Sequence, residues 1–202
     1  MKPLLLFAPG AGADSSSPWM RVWATRLARV GKVQSFDYPY MLQGRHRPDP
    51  LPTLIKAHQE ALVAAAAHHR GPVILAGKSM GGRVGCHVSL ESPPNALVCF
   101  GYPLLSAGNL QKVRDEVLKE LRTPVLFLQG TRDPLCPIEL LESVRRKMRA
   151  PNELYVVPSG DHSLQVTKTW LRENATGSEQ VNAGILNAIQ DFVSRHASPP
   201  KR

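Results

Sequence analysis

The sequence predicts an α/β protein: a mostly parallel six-stranded sheet with helices on both of its faces. Three observations lead there. Short apolar runs recur along the chain, each of a length suited to a buried strand. Segments of helical period lie between them, as connections between parallel strands require. Clusters of Gly and Pro mark the joints, and no internal repeat, long linker or low-complexity block breaks the pattern.

Lys2 to Ala8 reads as the first buried strand and runs into Pro9-Gly10-Ala11-Gly12-Ala13. Ser17 as cap and Pro18 at the first helical position open a helix over 18–30, in which Trp19, Val22, Trp23, Leu27 and Val30 repeat at helical spacing. Gly31 ends it. Val33 to Tyr38 makes a second strand, and the loop Pro39 to Pro52 carries Arg45, His46 and Arg47. Thr53 caps a helix reaching about His69, with an alanine-rich face for the sheet; His58, His68 and His69 read as its surface. Val73 to Gly77 is the third strand, followed by a helix from Met80 to about Glu91. Ala96 to Gly101 is the fourth strand, a loop spans Tyr102 to Gly108, and a charged helix covers about 110–121. Val125 to Gln129 is the fifth strand, with a helix over 137–148 after it. Leu154 to Val157 is the sixth strand, and polar residues 172–180 lead to a last helix over 181–196. One domain is expected over 1–196, with 197–202 as a disordered basic tail.

Composition narrows the class. With 202 residues and 43% hydrophobic content, the chain can bury one sizeable core. Its longest apolar runs are too short for a signal-peptide core or a membrane span, so a soluble, cytoplasmic chain is expected, with the nucleus left open. Cys86, Cys99 and Cys136 form an odd set without C-x-x-C spacing, which argues against a disulfide framework or a zinc site. Cys86 and Cys99 read as core fillers; Cys136 falls in a loop, where a reactive thiol and a small hydrophobe are both open. The formal charge of +9 permits acidic partners. Its scatter, and the lack of any recognised nucleic-acid module, argue against nucleic-acid binding.

The chemistry centres on Gly77-Lys78-Ser79-Met80-Gly81-Gly82. This is G-x-S-x-G between an apolar strand and a helix, the context in which the motif forms a nucleophile elbow. A nucleophile on so sharp a turn has neighbours too close for side chains, and Gly77 and Gly81 remove those clashes. The helix start supplies free N–H groups near the serine oxygen. Ser79 is the candidate nucleophile; the competing reading is a Gly-rich turn that only lets a helix pack on a sheet.

A serine hydroxyl needs a base, and the base an orienting acid. Of the seven histidines, His162 alone falls in a short loop directly after a strand. Asp133, in Gly130-Thr131-Arg132-Asp133-Pro134, also follows a strand, and functional groups gather at strand carboxyl ends. Asp161 is the weaker choice because adjacent loop residues point apart, and Asp115 lies in the charged helix. The order Ser79, Asp133, His162 is that of α/β-hydrolases. The oxyanion hole is expected from the amides of Met80 and Ala11, with Gly10 and Gly12 as neighbours in the second donor loop.

These residues carry a family resemblance. Phe36-Asp37-Tyr38-Pro39-Tyr40 with Gly44-Arg45, Gly77 to Arg83, Gly101-Tyr102-Pro103-Leu104, Gln129 to Asp133 and Gly160 to Leu164 together resemble one α/β-hydrolase group. It contains testis-expressed protein 30 and the hydrolase-like domain of subunit 3 of the NSL chromatin complex, and is more loosely similar to dienelactone hydrolases. The resemblance implies the α/β-hydrolase fold and the same three positions. Dienelactone hydrolases use a cysteine nucleophile where this chain has Ser79, so their substrate is not carried over. Only one helix fits between the fourth and fifth strands, which predicts no large lid and an open site suited to compact acyl groups. Arg45, His46, Arg47 and Lys78 would put positive charge near the entrance. The expected chemistry is hydrolysis of carboxylic esters or thioesters through an acyl-enzyme on Ser79, with no metal or organic cofactor. The rival reading is a non-catalytic hydrolase-fold module that binds protein partners; nothing marks a peptide-binding subsite.

Overall fold

The apolar runs and helical segments become sixteen elements in the computed structural model, which describes residues 1–106 and 108–197. Strand β1 is Leu4–Ala8, helix α1 Pro18–Leu27 and strand β2 Lys32–Ser35. A short helix α2 (Pro39–Leu42) and the long α3 (Leu51–Ala66) lead to β3 (Val73–Lys78) and α4 (Met80–Glu91). Then follow β4 (Ala96–Phe100), β5 (Leu105–Ser106), β6 (Asn109–Val113), α5 (Glu116–Glu120) and β7 (Val125–Gly130). Helix α6 (Ile138–Arg145), β8 (Asn152–Val157), α7 (Lys168–Glu173) and α8 (Ser178–His196) complete the order.

Six strands form one parallel sheet in the order β2-β1-β3-β4-β7-β8, as the sequence predicts. The middle of the sheet is buried on both sides, so β1, β3, β4 and β7 are near-continuous apolar runs rather than alternating, while the edge strands β2 and β8 carry polar residues. β1 shows this: Leu4 and Leu6 point to one layer, Leu5 and Phe7 to the other, and all are buried. α1 and α8 cover one face through Met20, Trp23, Leu27, Ile185, Ile189 and Phe192. α3, α4, α5 and α6 cover the opposite face, with Leu54, Leu62, Val84, Val117 and Leu141 inside. The chain moves outward from β1 to β2 and then returns to place β3 on the other side of β1. Such a reversal opens a crevice at the carboxyl ends of the two strands concerned.

Several expectations need correcting. The charged helix over 110–121 is in fact β6 followed by a single turn, α5, and β6 pairs antiparallel with β5 inside the segment read as a loop. The Arg114 N–H closes the base of the hairpin on the Leu104 carbonyl at 2.7 Å, and the Leu105 N–H anchors it from outside on the Leu135 carbonyl at 2.7 Å. Helix α3 begins at Leu51 behind Pro50, not at a Thr53 cap. α2 and α7 occupy stretches read as irregular. His58 is wholly buried rather than on the helix surface, and so is Cys136, while Val22 is exposed. Of the tail expected over 197–202, residues 198–202 lie outside the described residues. Among the described residues no helix is long and apolar enough to cross a membrane.

Candidate active site

Three strand ends bring Ser79, Asp133 and His162 together. Ser79 directly follows β3 and caps α4, with φ 49° and ψ −115°. A non-glycine residue in so sparsely populated a region stores on the order of 1–3 kcal/mol of strain, held by its surroundings. Those surroundings are tight: a Cβ on Gly77 would lie 2.3 Å from the Gly82 nitrogen, and one on Gly81 2.6 Å from the Ala8 carbonyl oxygen. No side chain fits at either position, so the elbow glycines are dictated by packing. The Ser79 N–H is fixed by the Phe100 carbonyl at 2.9 Å, which turns the hydroxyl outward.

The hydrogen bonds then run in one line. Ser79 Oγ lies 2.8 Å from His162 Nε2, and His162 Nδ1 lies 2.7 Å from Asp133 Oδ2. A carboxylate can only accept, so Nδ1 carries the proton and Nε2 is left as the acceptor for the serine O–H. The Asp133 side chain is entirely buried and the His162 ring a quarter exposed. Asp133 is held by two further donors: Gln129 Nε2–H to Oδ2 at 2.6 Å and the Leu135 N–H to Oδ1 at 2.9 Å. Gln129 in turn accepts the Tyr102 N–H through Oε1 at 3.2 Å. Asp161 is occupied elsewhere, accepting the amides of Ser163 and Gln165 and so shaping the turn that presents His162.

Lys78 has a different place from the one expected. Its ammonium is partly buried over the Trp19 ring, 4.8 Å from the centroid, and donates to Ser163 Oγ at 2.9 Å and the His162 carbonyl at 3.4 Å. Burial lowers its pKa from the ordinary lysine value, partly offset by the charges of Asp161 and Asp133. It ties the loop holding His162 to the strand that precedes Ser79. Arg45, His46 and Arg47 are exposed, and Arg45 is paired with Asp49 at 2.7 Å.

The Met80 and Ala11 amides border the same crevice and donate to no acceptor among the described residues. The loop holding Ala11 is anchored from below, where Tyr40 Oη–H donates to the Ala11 carbonyl at 3.0 Å. Tyr40 stacks on Tyr38, whose hydroxyl lies 3.1 Å from Nδ1 of the buried His58.

Two grooves meet at Ser79. One, of about 530 Å³, runs past Gly12, Trp19, Lys78 and Gln165 and includes His162. The other, of about 350 Å³, passes between the start of α3 and the β5–β6 hairpin and includes Asp49, Met80, Arg83 and Arg114. A third concavity of about 470 Å³ beside Trp23 and Glu179 contains neither Ser79 nor His162. Cys136 is no candidate for chemistry: burial, then the charge of Asp133, pushes its thiol well above the ordinary range. Among the described residues no three His, Cys, Asp or Glu side chains are gathered as metal ligands.

Comparison with known proteins agrees with this architecture. A family model described as alpha/beta hydrolase domain matches residues 1–194. The chain belongs to that family. It is similar in fold to a dienelactone hydrolase from Anabaena variabilis ATCC 29413, at 17% identity and TM-score 0.72, over 98% of this chain and 88% of that one. An alpha-beta serine hydrolase homologue from Coxiella burnetii matches at 16% identity and TM-score 0.69, over 98% of this chain and 86% of that one. A 52-residue stretch, 26% of this chain, is 33% identical to the uncharacterised protein YqkD of Bacillus subtilis (strain 168) and spans 17% of that protein's length.

Sequence reasoning missed four residues that shape the site: Gln129, Arg83, Arg114 and Gly101. Gln129 lies in a stretch that carries the family resemblance but had no role assigned, although a buried amide ending an apolar strand is itself a signal. Arg83 stands four residues after Ser79, hence on the same helix face. Arg114 could not be placed while its segment read as helix.

Proposed function

We propose that this alpha/beta hydrolase family member is a serine hydrolase that cleaves carboxylic esters or thioesters through an acyl-enzyme on Ser79. The observation that carries the reading is the hydrogen-bonded line Ser79–His162–Asp133, at 2.8 and 2.7 Å, with its nucleophile on a strained elbow. In the first step His162 Nε2 takes the Ser79 proton as Oγ attacks the carbonyl carbon. Asp133 holds the tautomer and offsets the imidazolium charge. The Met80 and Ala11 amides receive the developing oxyanion, a contribution commonly worth about 3–4 kcal/mol per donor. His162 passes its proton to the leaving oxygen or sulfur, and water then releases the acid by the same steps in reverse order. The scheme draws on side chains, amides and water alone.

The test is covalent. Folded protein should react with a fluorophosphonate probe at Ser79 and turn over 4-nitrophenyl butyrate. Ser79→Ala should abolish labelling and reduce turnover by at least about 10³-fold, with the melting temperature little changed. Native protein that keeps its fold yet resists the probe would favour a non-catalytic, partner-binding module. Undiminished turnover in the variant would remove Ser79 from the mechanism.

A further inference from the structure

The direction of proton transfer assigns the two grooves. His162 must hand its proton to the leaving group, so the leaving group lies on the His162 side of Ser79. That is the larger groove, past Trp19 and Lys78. The acyl chain is left with the smaller groove, which includes Met80 and Ala11 but not His162. Leu51, Leu54, Leu105 and Leu135 give that groove an apolar wall for methylenes.

Charge gives it an end. Arg83 lies one helical turn beyond Ser79, about 6 Å along the axis of α4. Among the described residues its guanidinium has no hydrogen-bond or ion-pair partner. Arg114 enters from the hairpin side and donates to Ser106 Oγ at 2.8 Å; among the described residues its five N–H groups have no other acceptor. The two cations stand close enough that Arg83, after burial, is a cause of the lowered Arg114 pKa. Glu116 lies near Arg114 but is exposed, and makes no ion pair with it within 4.0 Å. Asp49 also borders the groove; Arg45 pairs with its Oδ1 at 2.7 Å, and its buried Oδ2 has no hydrogen-bond partner among the described residues. Two guanidinium groups with no ion-pair partner among the described residues therefore line one largely apolar slot. Like charges held together this way are relieved by an anion between them, and a carboxylate suits the planar fork of arginine.

The geometry points to a substrate class: acyl groups that carry a second carboxylate a few methylenes from the scissile carbonyl, with Arg83 and Arg114 receiving that carboxylate. This rests on the serine-hydrolase reading and narrows it to half-esters or half-thioesters of short dicarboxylic acids. Neither arginine touches the reacting atoms; both determine specificity.

Three esters test it, each corrected for its uncatalysed rate. They are 4-nitrophenyl hexanoate, mono-4-nitrophenyl adipate with the same chain length, and the hexanoyl ester of 5-hydroxy-2-nitrobenzoate, which moves the charge to the leaving group. Wild-type protein should favour adipate over hexanoate in kcat/KM by about 10-fold or more, as expected for a charge-assisted hydrogen bond. In Arg83→Gln and in Arg114→Gln that ratio should fall by about 10- to 100-fold, chiefly through KM, in variants whose circular dichroism matches wild type. The leaving-group-charged ester should gain nothing over hexanoate. Turnover of hexanoate without preference for adipate, or a ratio unmoved in both variants, overturns the subsite and leaves the hydrolase standing. A preference for the leaving-group-charged ester over adipate reverses the groove assignment and also overturns it. No turnover of any of the three by folded protein overturns the hydrolase reading itself, and the subsite with it.

Discussion

Acidification should expose the cost of burying His58. The ring sits on α3 with no solvent exposure, its Nδ1 3.1 Å from the Tyr38 hydroxyl and its Nε2 without a partner. Burial pushes its pKa down from 6.5 to about 3. The sign follows from which state takes the proton. Below about pH 6.5 the unfolded chain protonates this histidine while the folded chain keeps it neutral. Its contribution to stability is therefore intact above that pH and drains away as pH falls toward the folded value. At pH 4.5 the gap is about two pH units at about 1.36 kcal/mol each, or roughly 2.7 kcal/mol. The comparison variant is His58→Phe, which keeps an aromatic ring against Phe36 but cannot titrate. It orphans the Tyr38 hydroxyl, a cost of about 1–3 kcal/mol that does not depend on pH in this range. Urea unfolding, followed by fluorescence of the three tryptophans, gives stability against pH for both proteins. Other titrating groups cancel in the difference. Between pH 7.5 and 4.5 wild type should lose about 2.5 kcal/mol more than the variant. Parallel curves, differing by a constant to within about 0.5 kcal/mol, would refute the reasoning.

Two further substitutions probe the support of His162 and Asp133. Gly101 has φ +60°, and a Cβ there would lie 2.4 Å from the His162 carbonyl oxygen and 3.3 Å from its Nδ1. Gly101→Ala should cost about 1–2 kcal/mol from backbone strain alone and, by displacing His162, lower kcat on 4-nitrophenyl butyrate well below the Tm; an unchanged kcat would mean that the loop relaxes without moving the ring. Gln129→Leu removes the donor at 2.6 Å from Asp133 and leaves the buried Tyr102 N–H unmatched. Calorimetry should show Tm lower by about 2–12 °C, from about 1–3 kcal/mol at about 2–4 °C each, and a Tm within 1 °C of wild type counts against the network.

The strands were legible because a parallel sheet buried on both faces demands uninterrupted apolar runs, and Val73 to Ala76 or Val125 to Leu128 leave little else to read. The segment from Asn109 to Glu120 misled for the opposite reason. Its residues are good helix formers, and Leu110, Val113 and Val117 are spaced at three and four. Strand pairing with Leu105 and Ser106, and a backbone bond from Leu105 to Leu135, override that local preference, leaving Leu110 half exposed. His58 carried a signal that went unused. Leu54, His58 and Leu62 stand four apart, a spacing that puts all three on one face, and the structure buries that face. The prior that histidines on helices face water hid it.

The site divides along the same line between local and distant causes. Ser79, Asp133 and His162 were readable because each follows its own strand, and strand ends in a parallel sheet converge whatever the intervening sequence. Nothing local tells Gln129 that it will meet Asp133, although both stand on one strand end; the bond needs the turn that folds the chain back over four residues. Lys78 is a sharper case. Beside an elbow serine its charge reads as an entrance ornament, yet Trp19 and Ser163, distant on either side in sequence, enclose it. The sheet brings α1 and the loop after β8 to the same edge of the crevice, and the ammonium has donors to spare for the loop that carries His162. Its charge therefore belongs to the architecture holding His162. The opposite groove has its own cations, Arg83 on the helix after Ser79 and Arg114 beside the hairpin, and these are the two proposed to meet a substrate carboxylate.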